Sequence, residues 1–352
     1  MFSKNISVQG KKIGIGQKPF LIAEVGINHQ GNLKRALRMI EIAKWAGVDA
    51  VKFQTFKADE FISDKKEKYS YFSNGKKVTE TMYEMFKRYE LPKSSWIKIK
   101  KKCEKLGIIF FSTPQNYSDL KVLLNIGIPL IKVGSDDFNN LPMLDKFSNF
   151  NIPIIVSCGM SKKIEIKKTM SLLKRKKTKT MLMLCTSEYP TPSENVNLLR
   201  LKTLKKLYPN LLLGFSDHTI GSLSACAALS LGACIFEKHF TLDNNDKGPD
   251  HWFSENPKNL KKWANDIKET YKLLGEDKLK PTKLEENMRI IARRSIVAFR
   301  DIKKGEKITI NNTCFKRPGD GMRPEDLKKI IKLKAIRLIP RNEKISLKLL
   351  KK

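Results

Sequence analysis

Residues 108–134 read IIFFSTPQNYSDLKVLLNIGIPLIKVG. An apolar, aromatic run over 108–112 gives way to a helical pattern over 117–126. Gly127-Ile128-Pro129 then stops the helix, and a second apolar run occupies 130–134. Apolar strands joined through a helix signal parallel pairing with both sheet faces covered.

The same unit recurs on both sides. Strand-like runs fall at 20–25 (FLIAEV), 50–53 (AVKF), 153–157 (PIIVS), 180–185 (TMLMLC), 211–215 (LLLGF) and 234–238 (CIFEK). Helical patterns lie at 33–46, 93–106, 162–174, 198–207 and 221–231. Eight strand–helix units within about 250 residues predict a closed (βα)8 TIM barrel. An open dinucleotide-binding sheet would carry GxGxxG after its first strand, whereas residues 26–31 read GINHQG.

The chain has 352 residues, enough for one large barrel domain over 1–275 and a smaller module. Residues 4–16 suit a hairpin under the barrel floor, and 55–80 form a long polar insertion, a lid or substrate loop. A charged linker follows at 276–288, then a β-rich module at 289–352. No apolar run nears the roughly 20 residues that span a bilayer, and the first residues lack a signal-peptide core. A cytoplasmic protein is therefore expected. Six cysteines without a CxxC pair fit free thiols in a reducing compartment. The net charge of +33 is mostly lysine spread over nearly every helix, without aromatic interleaving or a nucleic-acid motif. It reads as solvated charge, so neither nucleic acid nor membrane is an expected partner.

Polar residues end the strands. Glu24, Lys52 and Gln54, Ser112-Thr113, Lys132 with Ser135 to Asp137, Thr186-Ser187, Ser216 to His218, and Glu237 to His239 would all converge on the C-terminal mouth of a barrel. Any one could be a satisfied structural group; seven strands in agreement point to an active site. His218 and His239 are two of only four histidines, and both could reach one divalent cation. On spacing alone they could equally be a metal-free, hydrogen-bonded pair. Lysines among hydroxyls could cradle a phosphate or form a Schiff base, as in barrel aldolases. The residues alone leave that choice open.

Ten motifs follow in order: IAEVGINHQGN (22–32), VKFQTFKA (51–58), FFSTPQ (110–115), IKVGSDDFNN (131–140), SCGMS (157–161), CTSEYPTP (185–192), GFSDHT (214–219), EKHFT (237–241), GPDHWFS (248–254) and KRPGDGM (316–322). Together they resemble the sialic acid synthase family of nonulosonate synthases over essentially the whole chain. The terminal module resembles the antifreeze-like SAF domain that ends those enzymes.

The resemblance implies metal-dependent condensation of phosphoenolpyruvate with an N-acyl amino-sugar aldehyde. The acceptor would be N-acetylmannosamine or 2,4-diacetamido-2,4,6-trideoxymannose, and the products a nine-carbon 2-keto acid and phosphate. It implies that Lys52, Thr113, Ser135, Ser187 and Ser216 hold phosphoenolpyruvate. Glu24, Gln54, Tyr189, Asp250 and Arg317 would meet the sugar. His218 and His239 would hold the metal, manganese first, with magnesium or cobalt as alternatives. Glu24 and Asp137 are the candidate carboxylates at the reacting carbon, alongside Lys52 and His218 as catalytic groups. The resemblance further implies a domain-swapped homodimer, with Arg317 completing a partner's site. GPDHW resembles the neuraminate and legionaminate branches more than the pseudaminate one. The competing readings are a Schiff-base barrel aldolase and a non-catalytic polyanion-binding protein.

Overall fold

The computed structural model describes residues 2–352 and separates into two compact units that meet in sequence at Gly275 and Glu276. The first opens with an antiparallel hairpin, β1 (Asn5–Val8) and β2 (Lys11–Gly14). Eight further strands close a parallel barrel. In chain order they are β3 (Phe20–Gly26), β4 (Ala50–Thr55), β7 (Ile109–Pro114), β8 (Ile131–Val133), β9 (Ile154–Ser157), β10 (Thr180–Cys185), β11 (Leu212–Asp217) and β12 (Ile235–His239). β12 pairs with β3 and shuts the ring. The TIM-barrel expectation is met.

Side chains alternate along each strand, and the alternation sorts them into two cores. Leu21, Ala23 and Val25 of β3 pack outward into a cluster with helix residues Met39, Ile40 and Ala43. Phe20, Ile22, Ala50, Ile109, Leu130, Ile155, Met181, Leu212 and Ile235 point inward and meet Ile6, Val8 and Ile13 of the hairpin. The hairpin thus plugs the end where the strands begin. Gly214 in β11 has no room for a side chain. A Cβ there would lie 2.8 Å from the Ile235 carbonyl oxygen and 3.0 Å from Met183 Cγ. The missing methyl lets Met183 fill the barrel interior.

Above this apolar floor the inward positions turn polar. Glu24, Lys52, Thr113, Lys132, Ser157, Ser216 and Glu237 are all buried. The residues between them face the helices.

Two strands lie outside the ring, in the insertion after β4. β5 (Lys68–Ser73) and β6 (Lys76–Thr81) pair antiparallel around Asn74-Gly75. Both turn residues have positive φ, 51° and 72°, as a two-residue hairpin turn demands. The helix Met82–Tyr89 follows, its first turn capped by the Thr81 side chain.

The second unit begins with the helix Lys283–Ala292, closed at its start by a Thr282–Glu285 capping box. β13 (Ser295–Ala298) pairs with β14 (Thr313–Lys316) over a small core of Ile296, Ile302, Ile308, Ile330, Ile339 and Ile345. Four of the six cysteines (Cys103, Cys158, Cys185 and Cys234) are buried, and all six are free. Burial pushes the Cys103, Cys158 and Cys234 thiols up to about 12, which keeps them protonated. Among the described residues no helix is long and apolar enough to cross a membrane.

Candidate active site

A cavity of about 610 Å³ opens at the C-terminal ends of the barrel strands. At its base sit two ammonium groups and two carboxylates. Lys52 Nζ lies 2.9 Å from Glu24 Oε2 and 3.6 Å from Glu237 Oε1. Lys132 Nζ lies 3.6 Å from the same Glu237 oxygen. Lys52 also donates to Thr113 Oγ1 at 3.2 Å, Ser216 donates to Glu237 at 3.2 Å, and Gln54 donates to Glu24 at 3.0 Å.

Burial alone would discharge every member of this cluster, so their pairing decides the outcome. Burial opposes the charge on Glu237, but Lys132 and Lys52 outweigh it and hold the carboxyl below its usual range. Burial likewise opposes the charge on Lys52, and Glu237 and Glu24 more than offset it. Lys132 is the least compensated: burial dominates and its ammonium lies below the usual lysine range. Glu24 is raised, chiefly by burial, and Lys52 only partly counters this. An arriving anion would favour the charged form of both lysines.

The cradle continues in hydroxyls. Ser135 Oγ accepts from the Gly159 backbone N–H at 3.0 Å. A Cβ on Gly159 would stand 2.7 Å from Ser135 Oγ and 2.6 Å from Ser187 Oγ, so only glycine leaves their shared space open. Ser157 Oγ and Glu237 Oε2, both facing the cavity, are buried without a hydrogen-bond partner. Facing a cavity, such atoms leave hydrogen-bonding capacity that a ligand or water can satisfy.

His218 and His239 line the same cavity, their ring centroids 5.5 Å apart. His218 Nδ1 lies 2.8 Å from the Thr186 carbonyl oxygen. A carbonyl only accepts, so Nδ1 carries a proton, and Nε2 is the nitrogen left for a ligand. Burial, then the neighbouring His218 and lysine charges, holds His239 well below the usual histidine range. Its Nδ1 has no hydrogen-bond partner and lies 3.8 Å from Asp250 Oδ2. Burial pushes the Asp250 carboxyl up to about 7. Burial opposes the charge on His218, but Cys185 beside it outweighs this and raises its pKa, so a divalent cation there would displace a proton from Nε2, whereas His239 offers a neutral imidazole. No group of three or more His, Cys, Asp or Glu converges among the described residues, so water or substrate would complete the shell.

The structure brings together most of the residues expected from sequence. Glu24, Lys52, Gln54, Thr113, Ser135, Ser187, Tyr189, Ser216, His218 and His239 all line the cavity. Asp250 lines an adjoining chamber of about 360 Å³ that shares Gln54, Ser187, Tyr189 and His239 with it. Asp137 is displaced from its expected place. It is half-buried, its Oδ1 accepts from Asn140 Nδ2 at 2.9 Å, and it does not line the cavity. Asp136 lines it instead, its carboxylate folded back over Gly134, where a Cβ would lie 2.1 Å from Oδ1. Arg317 follows β14 in the second unit and is exposed.

Two residues of the site had no assigned role from sequence. Glu237 lies two residues before His239, so period two puts both on the inner face. Gly159 could be found only from three-dimensional crowding. Lys238, a Schiff-base candidate by position, points outward. Its Nζ donates to the Gly221 carbonyl oxygen at 3.1 Å and lies 3.0 Å from Asp217 and 3.6 Å from Glu255.

A closed parallel barrel with a basic, hydroxyl-rich mouth beside two histidines is the arrangement of a barrel enzyme's active site. The NeuB family pattern matches residues 39–279, and that of the SAF domain matches residues 293–351. An N,N'-diacetyllegionaminic acid synthase of Campylobacter jejuni is 39% identical over 309 residues, covering 87% of this chain and 92% of that protein. Another, from Legionella pneumophila, is 35% identical over 326 residues and covers 91% of each chain. The crystal structure of an N-acetylneuraminic acid synthetase from Leptospira borgpetersenii superposes with a TM-score of 0.74 at 33% identity, covering 81% of this chain and 95% of that one. The chain belongs to the NeuB family, that of the sialic, legionaminic and pseudaminic acid synthases.

Gly159→Ala should weaken the binding of inorganic phosphate, because the added methyl occupies the space between Ser135 and Ser187. Overpacking of about 1–3 kcal/mol corresponds to roughly a 5- to 150-fold rise in Kd by isothermal titration calorimetry. An unchanged Kd would show that this space is not part of an anion site.

Proposed function

We propose that the protein condenses phosphoenolpyruvate with an N-acyl amino-sugar aldehyde and water, giving a nine-carbon 2-keto acid and phosphate. The observation that carries the reading is the pairing of Lys52 and Lys132 with a hydroxyl cradle, beside His218 and His239 in one cavity. The two most similar relatives described above are named for legionaminic acid synthesis, which favours 2,4-diacetamido-2,4,6-trideoxymannose over N-acetylmannosamine as acceptor.

In this reading Lys52, Lys132, Thr113, Ser135, Ser187 and Ser216 hold the phosphate and carboxylate of phosphoenolpyruvate. A divalent cation on His218 and His239, manganese first and magnesium or cobalt as alternatives, would polarise the aldehyde oxygen. Gln54, Tyr189 and Asp250 orient the acceptor against the cradle. Carbon 3 of phosphoenolpyruvate attacks the aldehyde carbon, whose oxygen takes up a proton. Water adds to the cationic carbon 2 and loses a proton. The bond from carbon 2 to the phosphate oxygen then breaks, leaving a ketone and free phosphate. Glu24 is the carboxylate within reach of this carbon chemistry, and Asp136 is the acidic neighbour that lines the cavity in place of Asp137.

A Schiff base on Lys52 is disfavoured by its setting. Its carboxylate neighbours hold its ammonium above the usual range, whereas an amine nucleophile must be neutral. Lys132, whose ammonium burial holds below the usual range, is the lysine on which a trapping test bears. Phosphate release should require phosphoenolpyruvate, acceptor and divalent cation together, stop in chelator, and return with added manganese. Full activity in chelator, or a substrate trapped on lysine by borohydride, contradicts the proposal.

A homodimer in which the second unit of one protomer supplies Arg317 to the mouth of the other is part of the same reading. Lys52→Ala and Arg317→Ala homodimers should each be nearly inactive. Co-expression should restore activity, because each mixed dimer then carries one intact site. No recovery on mixing would place Arg317 with its own chain's barrel, or outside the site.

A further inference from the structure

The hairpin β5–β6 lies in the insertion expected to be a lid or substrate loop, and its aromatic side chains reach the chamber that adjoins the cavity. Tyr69, Tyr71 and Phe72 line that chamber together with Trp252 and Phe253. An aromatic series runs outward from the metal-site histidine. Phe253 lies 5.6 Å from His239, Trp252 lies 5.8 Å from Phe253, and Phe72 lies 6.2 Å from Trp252. Tyr69 stacks on Tyr71 at 6.0 Å.

Phe253 is buried, but the three outer rings are not core residues. Phe72 is 53% exposed, Tyr69 42% and Trp252 38%. Three large aromatic groups held at a cavity rim leave apolar surface in water that a ligand can cover. They are also held in place. Ser73 Oγ accepts from the Gly248 backbone N–H at 3.1 Å, which ties the hairpin to the loop bearing Asp250. Tyr71 donates to Glu80 at 2.6 Å, and Arg88 of the following helix donates to the same carboxylate oxygen at 2.5 Å.

The chamber is mixed. Gln54, Tyr189 and His239 lie where it joins the cavity. Ser70, Ser187, Glu188 and Asp250 add polar groups, and Phe72 and Trp252 meet edge to face as its aromatic part. An acceptor whose aldehyde reacts beside His239 must extend its far carbons outward. We propose that Phe72 and Trp252, with Tyr69 beside them, are the acceptor-specificity determinants. They favour methyl and acetamido groups on the far carbons over free hydroxyls. This rests on the synthase reading above. A hydroxyl packed against the Phe72 and Trp252 rings themselves loses water and gains no partner there, whereas a methyl or acetyl group covers them.

The test compares kcat/KM for 2,4-diacetamido-2,4,6-trideoxymannose and N-acetylmannosamine in the wild type and in Phe72→Ala, Trp252→Ala and Phe72→Tyr. The wild type should prefer the trideoxy sugar by about 100-fold. Each alanine variant should lose roughly tenfold of that ratio through a higher KM for the trideoxy sugar, with KM for phosphoenolpyruvate held. Phe72→Tyr should keep the ratio. A wild-type preference for N-acetylmannosamine, or alanine variants that slow both acceptors equally, would overturn the assignment and leave the synthase intact. Failure of the wild type to release phosphate with either acceptor would instead sink the synthase reading, and this inference with it.

Discussion

Two lysines and two glutamates buried in one barrel mouth set the terms for the rest of the site. Charges out of water persist only when each finds a partner, and removing one member of such a pair costs about 3–5 kcal/mol. Glu237 is the shared member, 3.6 Å from both Lys52 and Lys132, with Ser216 donating to the same oxygen. Glu24 closes the cluster through Lys52 and Gln54. The result is a pocket able to keep ammonium groups in a dry barrel while awaiting an anion. Lys132, held below its usual range by burial, is the member an incoming phosphate would compensate most.

Strand alternation determines which residues can join that cluster. In β12, Glu237 and His239 face inward while Lys238 faces the helices. In β11, Ser216 faces inward and Asp217 outward. The outward pair meet as a buried ion pair, and Trp263 Nε1 donates to the same Asp217 oxygen at 3.2 Å. Cavity-lining and scaffolding charges are therefore neighbours in sequence and separated by the sheet in space. The outward set anchors the loops after β11 and β12, from which His218 and Asp250 project.

The barrel was legible because eight apolar runs of similar length, each followed by a helix, admit few other arrangements. The mouth was legible because the polar residues fall at the same end of every run. Glu237 was visible as a strand end but carried no role, since its value lies in two lysines from strands distant in sequence. Asp137 was favoured over Asp136 by resemblance to the family motif. The choice is made in an irregular loop, where the folding of Asp136 over Gly134 is a local steric matter. The hairpin β5–β6 was hidden by its polar composition, although Ser73-Asn74-Gly75 is a turn signal after the aromatic strand of Tyr69, Tyr71 and Phe72. Gly159 shows a further limit: the crowding that requires glycine comes from Ser135 and Ser187, on two other loops.

The central claim is that this mouth joins phosphoenolpyruvate to an aldehyde and expels phosphate by breaking the bond to carbon 2. Phosphoenolpyruvate carrying oxygen-18 in the bridging position tests it directly, with released phosphate analysed by mass spectrometry in the presence of the acceptor. The account predicts that the label leaves with the phosphate, while the ketone oxygen of the product comes from water. Label retained in the keto acid, or phosphate formed without any carbon–carbon bond, would contradict it.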